Sequence, residues 1–177
     1  MVTFKVAPDY EAVHNGDHTY SFTAMATDTS GNSSTQSVTI TILNVIEYRG
    51  FDYKEVVSPY TGKVWLDRNL GASRVCTALD DTACYGELYQ WGRDADGHQE
   101  RNSTTTSTLA TDINATNANF ITSGSDWVAN GVDDNGSLRA ANWSKTDGSS
   151  ICPVGFRVPT IDELRAENVN NSISRQF

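Results

Sequence analysis

Between residues 20 and 42 the chain alternates apolar and polar positions with a period of two, first through Tyr20, Phe22, Ala24 and Ala26, then through Val38, Ile40 and Ile42. That period places the apolar side chains of an extended segment on one face, so the two runs predict β-strands. The insert Thr29-Ser-Gly-Asn-Ser33 between them is rich in turn formers and predicts an antiparallel hairpin. Phe4 to Val6 predicts one more short strand. A hairpin with a single apolar face needs a second layer to bury it, and three strands do not complete a sandwich.

From Tyr48 the pattern changes. Phe51 to Val57 and Val64 to Asp67 are strand-like and flank Ser58-Pro59 and Gly62, which predicts a second hairpin. Leu88 and Trp91, three residues apart and followed by Gly92, predict a short helix over 85–91. Residues 93–150 are rich in Asn, Thr, Ser, Asp and Gly, with Phe120, Trp127 and Trp143 spaced along them. This predicts little regular structure and a long ordered loop anchored by a few buried rings. Phe156 to Val158 predicts a strand closed by Pro159, and Thr160 followed by Glu163 is the capping-box signature of a helix start. A new structural unit thus starts close to Phe177, which predicts that the chain is an excised piece of a larger surface protein.

Composition narrows the function classes. Thirteen Lys and Arg against 22 Asp and Glu give a net charge of -9, a sign that repels nucleic acid and anionic membranes and suits divalent cations. No stretch approaches the ~20 apolar residues of a membrane span, and the first residues lack the order of a signal peptide, so an export signal is expected upstream. Abundant Thr, Ser, Asn and Gly with scarce Lys point to an extracellular or cell-surface protein. Cys76 and Cys84 bracket a short polar loop that a disulfide staples in an oxidising compartment, while Cys152 is either a buried apolar residue or the partner of a cysteine beyond Phe177.

Two acidic clusters, Asp94 with Asp96 before Gly97 and Asp133-Asp134-Asn135 before Gly136, are either second-tier calcium loops or plain polar turns. Trp127 and Trp143 are candidate ligand-binding rings able to stack on sugars, whereas Trp65 and Trp91 are expected in the core. Arg68 and Asn69 are either polar ligands or satisfiers of backbone groups at a strand end. No nucleophile elbow, phosphate-cradling glycine loop or zinc helix motif is present, and no catalytic residue is assigned.

The residues Phe4 to Glu11, Tyr20 to Asp28, Gly31-Asn32 and Ser37 to Val45 resemble the later half of a bacterial cadherin-like repeat. That resemblance implies calcium as a cofactor, with Asp9, Glu11 and Asp28 as ligands. Gly62 to Leu70, Cys84 to Arg93, Asp96-Gly-His98, Asp126-Trp127 and Cys152 to Thr160 resemble, in that order, the Fibrobacter-type major paralogous domain family, whose fold is similar to C-type lectins and formylglycine-generating enzymes. The expected architecture is β-rich α+β. A partial antiparallel β-sandwich of cadherin type occupies 1–47, and a loop-rich, truncated C-type-lectin-like domain with short helices occupies 48–177. The implied function is adhesion or binding to a protein or glycan on a surface, with self-association through exposed strand edges, and a non-binding structural spacer is the alternative.

Overall fold

A computed structural model describes residues 5–6, 10, 18–114, 117–124 and 126–170. Asp9, Glu11 and Phe4 lie outside the described residues, while Lys5 and Val6, expected in a short strand with Phe4, form an exposed bend. The described residues are strand-rich with two α-helices, and the chain divides into two compact units, Met1–Val45 and Ile46–Phe177. Among the described residues, no helix is long and apolar enough to cross a membrane.

In the first unit β1 (Thr19–Thr27) pairs antiparallel with β2 (Ser33–Thr41), in register from Thr19 opposite Thr41 to Thr27 opposite Ser33. Tyr20 faces Ile40 and Phe22 faces Val38, so the alternating apolar positions form cross-strand pairs on one face. Those four side chains are half-buried, while Ala24, Met25 and Ala26 nearer the turn are exposed. The turn is closed by Asp28, whose Oδ1 accepts the N–H groups of Ser30 and Asn32, each at 2.9 Å. Its Oδ2 accepts the Asn32 amide at 2.9 Å, and these Asn32 bonds hold the carboxyl below its usual range.

In the second unit, which takes all of the following strands but the first residue of β3, β3 (Val45–Tyr48), β4 (Phe51–Val57) and β5 (Val64–Leu66) form a sheet in that order. β3 and β4 meet across Arg49-Gly50, both at positive φ (53° and 81°), the two-residue turn whose twist matches its strands. β4 and β5 are antiparallel, with Val56 opposite Trp65. Two further short strands, β6 (Thr105–Thr106) and β7 (Phe120–Ile121), run parallel, and a parallel bridge joins Ala110 to Val128. Around them sits a small apolar cluster of Ala110, Ile121, Trp127 and Val128, with Leu109, Ile113 and Val132 against it.

The helices differ from expectation in one case and match it in another. Residues 85–91 are not helical, because their N–H groups bond elsewhere: Glu87 to Leu70 O at 2.8 Å, Leu88 to Gln99 O at 2.9 Å and Gln90 to His98 Nε2 at 3.1 Å. Gly86, at φ 67°, packs its bare Cα against the Leu70 carbonyl, a site with no room for a Cβ. Within the polar stretch 93–150, helix α1 (Ser137–Trp143) forms instead. Asp133 starts it by accepting the N–H groups of Leu138 and Arg139 at 3.0 and 3.1 Å, ahead of the helix-forming run Leu138-Arg-Ala-Ala141.

Residues 156–158 form no ladder, and Val158 N–H donates to Trp143 O at 3.2 Å. The capping box is formed as the sequence predicts: Thr160 N–H donates to Glu163 and Glu163 N–H to Thr160 Oγ1, opening α2 (Ile161–Asn170). Glu167 of α2 accepts from Ser58 Oγ, Thr61 Oγ1 and Trp65 Nε1, which fastens the helix to the turn between β4 and β5.

Candidate ligand-binding surface

Three consecutive carbonyls organise the loops of the second unit. Trp91 O accepts from Trp127 Nε1 at 2.9 Å, Gly92 O from Asn142 Nδ2 at 3.1 Å and Arg93 O from Trp143 Nε1 at 3.2 Å. The polar ends of two tryptophans are thereby turned inward onto one stretch of backbone. Trp127 is 4% exposed. It is therefore a core residue and not a ligand-binding ring, contrary to the expectation for it, because its indole N–H has a partner only in the interior. Trp143 is half-buried and its indole N–H is committed to the same backbone.

Beneath these carbonyls lies a buried polar network. Arg93 is fully buried and places all five guanidinium N–H groups: Nε and Nη2 on Asp96 Oδ2 at 3.2 and 2.6 Å, Nη1 on Gln90 Oε1 at 2.8 Å and Asn119 O at 2.9 Å, and Nη2 also on Asn117 Oδ1 at 3.0 Å. Asp96 Oδ1 accepts His98 N–H at 3.1 Å and faces His98 Nδ1 at 2.7 Å. His98 Nε2 accepts Gln90 N–H, so the ring is neutral with its proton on Nδ1. Burial, helped by Arg93, holds its pKa below the ordinary histidine value despite Asp96. Burial works to raise Asp96, but Arg93 and His98 outweigh it and hold that carboxyl low.

A second arginine does the same at the start of α1. Arg139, 4% exposed, bonds Asp133 Oδ2 through Nε at 3.0 Å, Asp133 O through Nη2 at 2.9 Å and Asp126 Oδ1 through Nη1 at 2.6 Å. The cation between these carboxylates is therefore a guanidinium. The remaining candidates are hydrogen-bond acceptors: Asp94 takes the amide of the distant Asn142 at 2.7 Å, while Asp134 takes the nearby Gly131 N–H at 2.7 Å and Asn135 the Ser137 N–H at 3.0 Å. Asp28 is likewise engaged by its own turn. Among the described residues no three His, Cys, Asp or Glu side chains converge on one point.

Trp91, expected in the core, is 47% exposed. The chain nonetheless holds it firmly. The Arg139 guanidinium lies 4.7 Å from its ring centroid, and its Cη2 packs where a Cβ on Gly136 would sit only 2.6 Å away. Gly136, whose missing Cβ leaves room for this ring, is the sequence feature that accompanies its outward position.

An open groove of about 670 Å³ lies in the same unit, edged by Arg49, Phe51, Glu87, Glu100, Arg101 and Asn102. Arg49 Nη1 donates to Glu87 Oε2 at 3.1 Å and to Tyr89 Oη at 2.7 Å. Tyr89 Oη in turn donates to Glu87, and burial together with that carboxylate raises the phenol pKa well above its ordinary value. Arg101 donates to the carbonyls of Gly86 and Tyr85 and lies 5.3 Å from the Tyr85 ring. Behind this wall Cys76 and Cys84 are joined in a disulfide, while Cys152 is a buried free thiol whose pKa burial pushes up to about 11. Arg68 serves the backbone, donating to Ala72 O at 2.9 Å and Asp52 O at 2.7 Å. No family model, curated protein or solved structure matches the chain.

Proposed function

We propose that the chain is an extracellular, cell-surface binding module whose second unit, of C-type-lectin-like architecture, recognises a glycan, and whose first unit is a cadherin-like β module that displays it. The observation that carries this reading is Trp91: an indole nearly half exposed, yet fixed by the backbone bond from Trp127, by the Arg139 guanidinium and by the gap at Gly136. A rigid ring open to solvent stacks on the apolar face of a sugar at little entropic cost. The Cys76–Cys84 bridge supports an oxidising location outside the cell. The net charge of -9 argues against nucleic acid.

The module binds without turnover, and the buried Arg93 and Arg139 brace its loops. A glycan array probed with the full chain and with Trp91→Ala tests the reading. Retention by the wild type and loss in a variant of unchanged thermal stability is the expected result. No retention by the folded wild type would leave a display spacer.

A further inference from the structure

The groove edged by Arg49, Glu87 and Arg101 shares no residue with the Trp91 surface, and its chemistry is specific enough to name an occupant. Glu87 uses only Oε2 for Arg49 and Tyr89, which leaves Oε1 without a donor among the described residues. Arg49 uses only Nη1, Arg101 uses Nε and Nη2, and the exposed Asn102 amide makes no side-chain hydrogen bond among the described residues. The wall thus presents planar donors and a planar acceptor, of which Arg49, Glu87 and Arg101 are held in place by bonds on their other edges.

Three ligand chemistries can be weighed against that wall. A phosphate or sulfate only accepts hydrogen bonds, so it suits the arginines and is repelled by Glu87 and Glu100. An ammonium group only donates and meets the opposite conflict. A hydroxyl does both, and a pair of adjacent hydroxyls satisfies a carboxylate and a guanidinium together. The charges of Arg49 and Arg101 are cancelled by Glu87 and Glu100, so the groove adds no attraction for polyanions to a chain of net charge -9. Phe51, half-buried on the same groove, offers an apolar ring to the carbon face of a sugar.

The position of Arg49 adds an independent sign. It holds φ 53° in a two-residue turn where Gly or Asn is the relaxed choice, so an arginine there costs stability on the order of 1 kcal/mol. A strained residue at a cleft edge points to use of its side chain.

We propose that the groove edged by Arg49, Glu87 and Arg101 binds adjacent hydroxyls of a neutral saccharide. The site rests on the reading of this unit as a glycan-binding module, but it is separable from Trp91. Full-length chain is titrated by NMR and calorimetry with neutral hexasaccharides of glucose, xylose and mannose, and with a hexamer of galacturonic acid as the anionic comparison. Wild type, Arg49→Gly, Glu87→Gln and Trp91→Ala are compared.

Saturable binding of a neutral hexasaccharide is expected, with shifts at Phe51, Gly86 and Asn102. Arg49→Gly and Glu87→Gln weaken it by at least about tenfold. Arg49→Gly relaxes the turn, so its loss of binding cannot be laid to unfolding if the melting temperature holds or rises. Neutral binding that survives both groove variants and vanishes in Trp91→Ala overturns the groove site and leaves the module's function standing. No neutral binding by wild type sinks both, and binding of the galacturonic acid hexamer alone refutes the neutral class.

Discussion

Replacing Arg93 by Met tests whether buried ion pairs, and not the small apolar cluster, hold the second unit together. The guanidinium is 0% exposed and its partner Asp96 has a side chain only 8% exposed, so the substitution leaves a carboxylate buried with His98 as its remaining partner. It also strips a donor from Gln90 Oε1, Asn119 O and Asn117 Oδ1. Breaking one side of such a pair costs about 3–5 kcal/mol. Asp96→Asn in the Arg93→Met background removes the orphaned charge, so the double variant is expected to lose less than the sum of the two single losses. Arg93→Lys fares little better than Met, since one ammonium cannot reach acceptors arranged around a planar fork.

The assay is urea unfolding followed by tryptophan fluorescence. All four tryptophans fall in Ile46–Phe177, so the signal reports that unit alone. A loss under about 1 kcal/mol, or strict additivity in the cycle, would refute the argument that this arginine organises the loops.

Further outcomes follow from the same geometry. His98 is the only histidine in the second unit and is folded in its neutral form, so the unfolded chain takes up its proton first. Stability is therefore complete above about pH 6.5 and declines as the pH falls from there towards the folded pKa. A separate loss begins below about pH 4, where Asp96, Asp126 and Glu163, all held low in the fold, gain protons in the unfolded chain. Unfolding midpoints across this range should show both phases, and His98→Gln should lack the upper one.

Reducing the Cys76–Cys84 bridge, which closes a loop of sequence separation 8, should cost about 2.5 kcal/mol in chain entropy, read as a lowered midpoint in dithiothreitol. Gly136→Ala forces a Cβ at φ 71° against Trp91 and should cost about 1–3 kcal/mol while shifting the emission of that indole; unchanged emission would show that the ring is not held by this contact.

The hairpins and the capping box were legible because each rests on local chemistry. Period-two alternation put Phe22 opposite Val38, and Thr160 with Glu163 satisfied each other's N–H groups without help from elsewhere. The segment 85–91 was misread because its partners are distant: nothing near Leu88 in sequence announces that its N–H belongs to Gln99. Trp127 and Trp91 were exchanged between core and surface for a related reason. An indole is buried when a carbonyl awaits its N–H, and that carbonyl lies 36 residues away. The acidic clusters were visible as charge, but their partners Arg93 and Arg139 were not, since Asp133 and Arg139 pair only once α1 has formed.

That pairing bears on how a loop-rich unit can present a fixed binding surface. Apolar packing constrains side chains weakly in direction, whereas a guanidinium with every N–H placed fixes the planes of the acceptors around it. Arg93 fixes Gln90 and Asp96, and through Asp96 the ring of His98, which receives the Gln90 N–H at the end of the 87–90 segment. That same segment carries Glu87 on the groove wall and Tyr89, which bonds Glu87 and Arg49, and Trp91 follows it directly. The two proposed contact surfaces are consecutive on one strand of backbone that the buried network holds from behind. Weakening the network should therefore loosen both together, and loosening them costs affinity because a ligand must then pay the entropy of ordering the wall it binds.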